Sequence, residues 1–117
     1  MSRDIMSLFN VYELGLARLS IARRPRGGDW LIDEIRTLKD NAGVRMLVSM
    51  LTPEEETELD LTTEAESCEQ LGVRHISLPV PDLGAPTDLV SFKSAVKNVI
   101  TALHAGQSVA VHCRQGI

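Results

Sequence analysis

The chain has 117 residues, and its 12 Lys and Arg against 16 Asp and Glu leave a formal charge of −4. That balance argues against a nucleic-acid or anionic-membrane partner, and one Trp, one Tyr and two Phe offer few rings for stacking on bases. The length allows one domain, residues 1–117; a hydrophobic content of 44% suits a globular core, and no apolar run is long enough to span a bilayer.

Met1 to Asn10 has neither the apolar run nor the small-residue cleavage site of a secretory leader. The two cysteines, Cys68 and Cys113, are therefore read as thiols of a cytoplasmic protein rather than a disulfide framework. Val11 to Leu14 can start a strand, and Leu16 to Ala22 reads as the first clear one. Arg23-Arg24-Pro25-Arg26-Gly27-Gly28 is a loop, marked by its proline and paired glycines. Asp29 is placed to cap a helix whose apolar stripe is Leu31, Ile35, Leu38 and Ala42, with Gly43 as its stop. Val44 to Leu51 is nearly continuous apolar sequence, the pattern of a strand covered on both faces. Thr52-Pro53-Glu54-Glu55 carries a capping box with proline in the first turn, and Thr63-x-x-Glu66 opens a further helix ending at Gly72.

Val73 to Val80 alternates as a strand, and Pro79, Pro81, Gly84 and Pro86 shape the loop after it. Thr87 or Asp88 begins the longest helix, with Leu89, Phe92, Val96, Val99, Ile100 and Leu103 as its expected buried face and Gly106 as its end. Ser108 to His112 is the last strand. This alternation implies an α/β fold: a central parallel-type sheet with right-handed crossovers, flanked by helices. Ligands in such sheets bind beyond the C-terminal ends of the strands. The Arg-rich loop, the Thr52 turn, the Asp82 loop and the loop after His112 should gather there.

That last loop belongs to Val109-Ala110-Val111-His112-Cys113-Arg114-Gln115-Gly116-Ile117. A buried strand ending in a cysteine, with a glycine soon after, reads as a phosphate cradle. Successive backbone N–H groups can turn inward around an anion, and a following helix would add its positive end. The same field favours thiolate over thiol and makes the cysteine a nucleophile. A small buried cysteine at a strand end is the plainer reading. Asp82, between Pro81 and the Leu83-Gly84 turn, is on residue type alone either a turn aspartate or a proton donor. Arg23, Arg24 and Arg26 form the one dense basic cluster, either a solvated loop or a recruitment site for phosphorylated substrate. Cys68, inside a helix, reads as structural. His75 and His104 lack companions at metal-ligand spacing, so no metal or other cofactor is expected.

The segment His112-Cys113-Arg114-Gln115-Gly116 resembles the start of the signature loop of cysteine-dependent protein phosphatases, His-Cys-x-x-Gly-x-x-Arg-Ser/Thr, and the Asp82 loop looks most like the dual-specificity or kinase-associated type. The resemblance implies Cys113 as nucleophile and Asp82 as general acid and then base. It implies His112 as the residue orienting the loop, with Arg114, Gln115, Gly116 and Ile117 around the substrate phosphate and Arg24 and Arg26 at its approach. A phosphorylated protein or peptide is the implied substrate, with phosphate or sulfate as an occupant of the loop and neither nucleic acid nor membrane as partner. The signature arginine would stand two positions after Ile117. The fold is accordingly expected to be incomplete at its C-terminus, with an open core and little activity without a complementing C-terminal segment. The rival readings are a rhodanese-type sulfurtransferase, which also opens its loop with Cys-Arg, and a non-catalytic phosphate-binding module.

Overall fold

The computed structural model describes residues 8–80 and 88–114. In chain order they form β1 (Leu8–Leu14), β2 (Ala17–Ala22), a 3₁₀ turn (Gly28–Trp30), α1 (Leu31–Ala42), β3 (Val44–Ser49), α2 (Pro53–Glu58), α3 (Glu64–Gln70), β4 (Arg74–Ser77), α4 (Leu89–His104) and β5 (Ser108–His112). The five strands make one sheet in the order β1-β2-β5-β3-β4. β2, β5, β3 and β4 run parallel. β1 is an antiparallel edge strand hairpinned onto β2. The expected α/β sheet is therefore present, with an antiparallel edge added.

The hairpin also corrects the start of the first clear strand. Leu16 sits in the turn and is 91% exposed, and Gly15, at φ 63°, supplies the left-handed backbone there. Apolar alternation alone cannot separate a turn leucine from a strand leucine.

The crossovers set the two faces. α1 and α3 lie on one side of the sheet and bury Leu31, Ile35, Leu38 and Cys68 against Leu47 and Ala110. α4 returns on the other side and buries Ala95, Ala102 and Leu103 against Met46, Val48 and Val109. β3 is thus covered on both faces, as its continuous apolar run requires.

α4 departs from its expected stripe. Ala95, Ala102 and Leu103 face the sheet, and Phe92 and Val99 pack at the margin of that cluster. Leu89 is 64% exposed and Ile100 49%. Two alanines let the helix approach closely, and a stripe drawn through the larger side chains is rotated away from that contact line. Val96 and Ile100 instead line an open apolar groove of about 520 Å³, shared with Tyr12, Leu14, Met50 and Val111.

The helix ends follow the local sequence with two exceptions. Thr52 and Glu55 form the expected reciprocal box, with N–H to side-chain oxygen distances of 3.0 and 3.3 Å. Gly43 closes α1 at φ 69°, and Asp88 caps α4 through the N–H groups of Val90 and Ser91. Asp29 does not cap α1. It lies within the 3₁₀ turn, and Trp30 occupies the cap position with no side-chain bond. Thr63 precedes α3 without a capping bond of its own. The strand expected from Val73 to Val80 is shorter, although Leu78 and Val80 still donate to the carbonyls of Ser49 and Met50.

The loop after β2 is pressed against the α2–α3 connection. Gly28 donates its N–H to the Asp60 carbonyl at 3.2 Å. A Cβ on Gly27 would collide with the backbone carbonyls of Leu59 and Asp60. Backbone cannot swing aside as a side-chain tip can, so Gly27→Ala is expected to cost about 1–3 kcal/mol. Urea denaturation of the variant beside the wild type measures it.

Candidate active site

β5 delivers Cys113 to the C-terminal end of the parallel strands. Val111 is registered against Ile21 of β2 and His112 against Ser49 of β3. The Met50 N–H donates to the His112 carbonyl at 3.0 Å, closing the ladder at the last strand residue. Cys113 then leaves the sheet between the loops that follow β2 and β3, half-buried.

Strand alternation turns His112 toward the α1/α3 face together with Ala110. The ring is fully buried there. Its Nε2 lies 2.7 Å from Glu64 Oε2, and its Nδ1 lies 3.3 Å from the Cys113 carbonyl. The other Glu64 oxygen is 2.7 Å from His75 Nε2. Glu64 occupies the first turn of α3 and is 3% exposed, so one buried carboxylate ties β4 and β5 together. Burial pushes its carboxyl up. The hydrogen bonds from His112 and His75 and the positive charge of the two rings outweigh burial and hold it below the usual glutamate value.

Two arginines frame the Cys113 loop. Arg24 Nη1, from the loop after β2, donates to the Arg114 carbonyl. Arg114 in turn pairs with Glu58 at 2.8 Å and approaches Glu55 at 3.9 Å, both on α2. The Arg114 hydrogen bond and charge hold Glu58 below its usual value. Arg26 is turned elsewhere. Its backbone N–H donates to Glu34 Oε1 at 2.6 Å, its Nε meets Glu34 Oε2, and its guanidinium lies 4.0 Å from the centroid of the Trp30 ring. Arg23 also approaches Glu34, at 3.9 Å. Arg24 is thus brought to the Cys113 loop, while Arg26 fastens the loop after β2 to α1. Asp82, Gln115, Gly116 and Ile117 lie outside the described residues.

Cys68 is fully buried. Burial, with the Glu64 charge added, pushes its thiol up to about 12, which leaves it protonated and inert. No group of three or more His, Cys, Asp or Glu among the described residues could hold a metal ion.

The DSP-PTPase phosphatase family of polymorphic toxin systems matches residues 22–117, from the end of β2 through the Cys113 loop. The chain belongs to this family. Solved phosphatases share the fold. Kinase associated phosphatase superposes with a TM-score of 0.74 at 18% identity, over 85% of this chain and 57% of that one. PTPMT1 gives 0.61 at 24% identity, over 89% and 61%. A protein tyrosine phosphatase from Leishmania major gives 0.65 at 24% identity, over 93% and 68%. The chain therefore spans roughly three fifths of the length of kinase associated phosphatase and PTPMT1. Curated protein sequences give no match.

Within this DSP-PTPase domain, sequence reading missed Glu64, His75 and Glu34 as partners of the site and its flanking loop. A glutamate in the first turn of a helix is ordinarily solvated and complements the helix dipole. Nothing local marks Glu64 as turned inward. The one available signal was a glutamate opening a short helix directly ahead of a strand that carries a histidine.

Proposed function

We propose that this DSP-PTPase domain hydrolyses phosphate monoesters on phosphorylated proteins through a cysteinyl-phosphate. The position of Cys113 carries the reading: it stands at the C-terminal end of an interior parallel strand, in a loop gripped from both sides, within the family match. In the first step Cys113 Sγ bonds to phosphorus and the bond to the leaving oxygen breaks. Asp82 gives that oxygen its proton. In the second step water attacks phosphorus, its proton passes to Asp82, and the sulfur–phosphorus bond breaks. Inward-facing loop amides would stabilise the equatorial oxygens. Arg24 and Arg114 place positive charge where a phosphorylated substrate would approach.

Among the described residues no helix is long and apolar enough to cross a membrane. A cytoplasmic, reducing setting is part of the proposal and suits Cys68 and Cys113, neither of which is in a disulfide. PTPMT1 has been solved with PI(5)P. Here the loop beyond Arg114 has neutral Gln115 and Ile117 at variable positions, which favours a phosphoprotein over a polyanionic head group.

Assaying the intact protein with a phosphopeptide, an aryl phosphate and thiosulfate separates this reading from the sulfurtransferase. Asp82→Asn should lower kcat by about 10²–10⁴, the range that general acid catalysis contributes. The loss should be smallest for aryl phosphates with acidic leaving groups, which need no proton. Sulfur transfer from thiosulfate without phosphatase activity would refute the proposal.

A further inference from the structure

Three buried or half-buried groups form a chain behind the nucleophile: His75 on β4, Glu64 on α3 and His112 on β5. His112 stands between two acceptors, the Glu64 carboxylate at 2.7 Å and the Cys113 carbonyl at 3.3 Å. A neutral imidazole offers one donor and one acceptor. Only a ring carrying both protons satisfies both contacts, and a buried ring of that kind needs a counter-charge. Glu64 supplies it.

Both Glu64 oxygens are occupied, since His75 Nε2 holds Oε1 at 2.7 Å. The carboxylate can therefore neither rotate away from His112 nor draw water in its place. We infer that Glu64, held by His75, is a positioning residue for the Cys113 nucleophile: it keeps a doubly protonated His112 bonded to the Cys113 backbone. The inference rests on the reading that Cys113 reacts as a thiolate. The positive ring, and not the balancing carboxylate, contacts the Cys113 backbone, so the nearer charge of the pair is the one that favours a thiolate.

Other charged groups among the described residues also bear on this chain. Glu56 on α2 interacts electrostatically with Glu64, His75 and His112, and burial with the Glu64 charge pushes its carboxyl up. Cys68, on α3 with Glu64, stays protonated. Around the Cys113 loop, the Arg114 charge is met by Glu58 and Glu55 of α2, and Arg24 reaches in from the loop after β2. Glu56 reaches His112 through its field alone, whereas Glu64 is hydrogen-bonded to it, so a change at Glu64 is read mainly through His112.

Glu64→Gln tests this in the intact protein. Glutamine keeps the shape and can accept from one ring while donating to the other, but it removes the counter-charge. The readout is the rate of Cys113 alkylation by iodoacetamide against pH, with Cys68 too buried to compete. The pH midpoint should rise by about one unit, within the range that a neighbouring charge imposes. The acid limb of kcat/KM should rise with it, while KM for phosphopeptide barely changes. His75→Gln retains a donor to Oε1 and should shift the midpoint less than His75→Leu does. His75→Leu leaves Oε1 without a donor and should reproduce part of the Glu64→Gln shift.

A wild-type midpoint well below that of an ordinary thiol, with phosphate protection, and an unmoved midpoint in Glu64→Gln would overturn the inference and leave the phosphatase reading standing. A wild type that alkylates as an ordinary thiol without phosphate protection would overturn both. Should Glu64→Gln not fold, the same comparison between His75→Gln and His75→Leu decides: equal midpoints overturn the inference.

Discussion

Cys113→Ser is expected to abolish turnover while leaving phosphopeptide binding in place. A serine hydroxyl stays protonated at neutral pH and attacks phosphorus poorly. Where an enzyme loses its nucleophile outright, kcat falls on the order of 10⁶. In the proposed mechanism binding rests on other groups: the backbone amides of the loop, and the positive charge of Arg24 and Arg114. The smaller oxygen perturbs little, because the loop is fastened by backbone contacts that the substitution does not touch. The Cys113 carbonyl still meets His112, and the Arg114 carbonyl still accepts from Arg24. Steady-state assays with an aryl phosphate and calorimetric titration with a phosphopeptide measure the two halves. Full activity in the variant would remove Cys113 from the chemistry. Unchanged binding together with unchanged cellular phenotype would favour the phosphate-binding module.

How far the sequence led differs by level, for physical reasons. The parallel sheet was legible because each strand carries its own hydrophobic signature. Val44 to Ser49 is apolar almost throughout, and it is the strand buried on both faces. Gly43, Thr52 and Asp88 were legible as helix ends because each acts within a few residues of chain. The contact line of α4 was not, since it depends on where Ala95 and Ala102 allow the helix to approach the sheet, and small residues leave no mark in a hydrophobic pattern.

The site divides in the same way. Cys113 and His112 announce themselves by adjacency at the end of one strand. Their support comes from residues far away in sequence. Glu64 lies 48 positions from His112, and Arg24 lies 90 from Arg114. No spacing rule reaches such pairs. The Arg-rich loop shows the limit best. Arg24 and Arg26 are equivalent by composition, yet one reaches the Cys113 loop and the other folds back onto Glu34 and Trp30. Glu34 makes that division: it is buried in the first turn of α1 and captures both the backbone and the side chain of Arg26.

The largest effect on stability is expected from His112→Leu. Leucine fills much of the buried space but leaves Glu64 with His75 as its single ring partner. Removing one member of a buried, hydrogen-bonded charge pair costs about 3–5 kcal/mol, because the other charge stays in place uncompensated. In a domain of this size each kcal/mol is worth roughly 4–8 °C, so the melting temperature should fall by more than about 10 °C at pH 7. The pH dependence identifies the cause. In the wild type Glu64 is held below the usual glutamate value. Its contribution is therefore present above that value and is lost as pH falls through the folded one. In the variant burial has less to oppose it and pushes the carboxyl up, so the penalty is present near neutrality and shrinks once acid neutralises the group. The gap between wild type and variant should thus narrow steadily from pH 7 to pH 4 in chemical denaturation. The double variant His112→Leu with Glu64→Leu, which removes the stranded charge, should recover much of the loss at pH 7. A gap that stays constant with pH, with no recovery in the double variant, would mean that His112 contributes packing alone and that Glu64 does not depend on it.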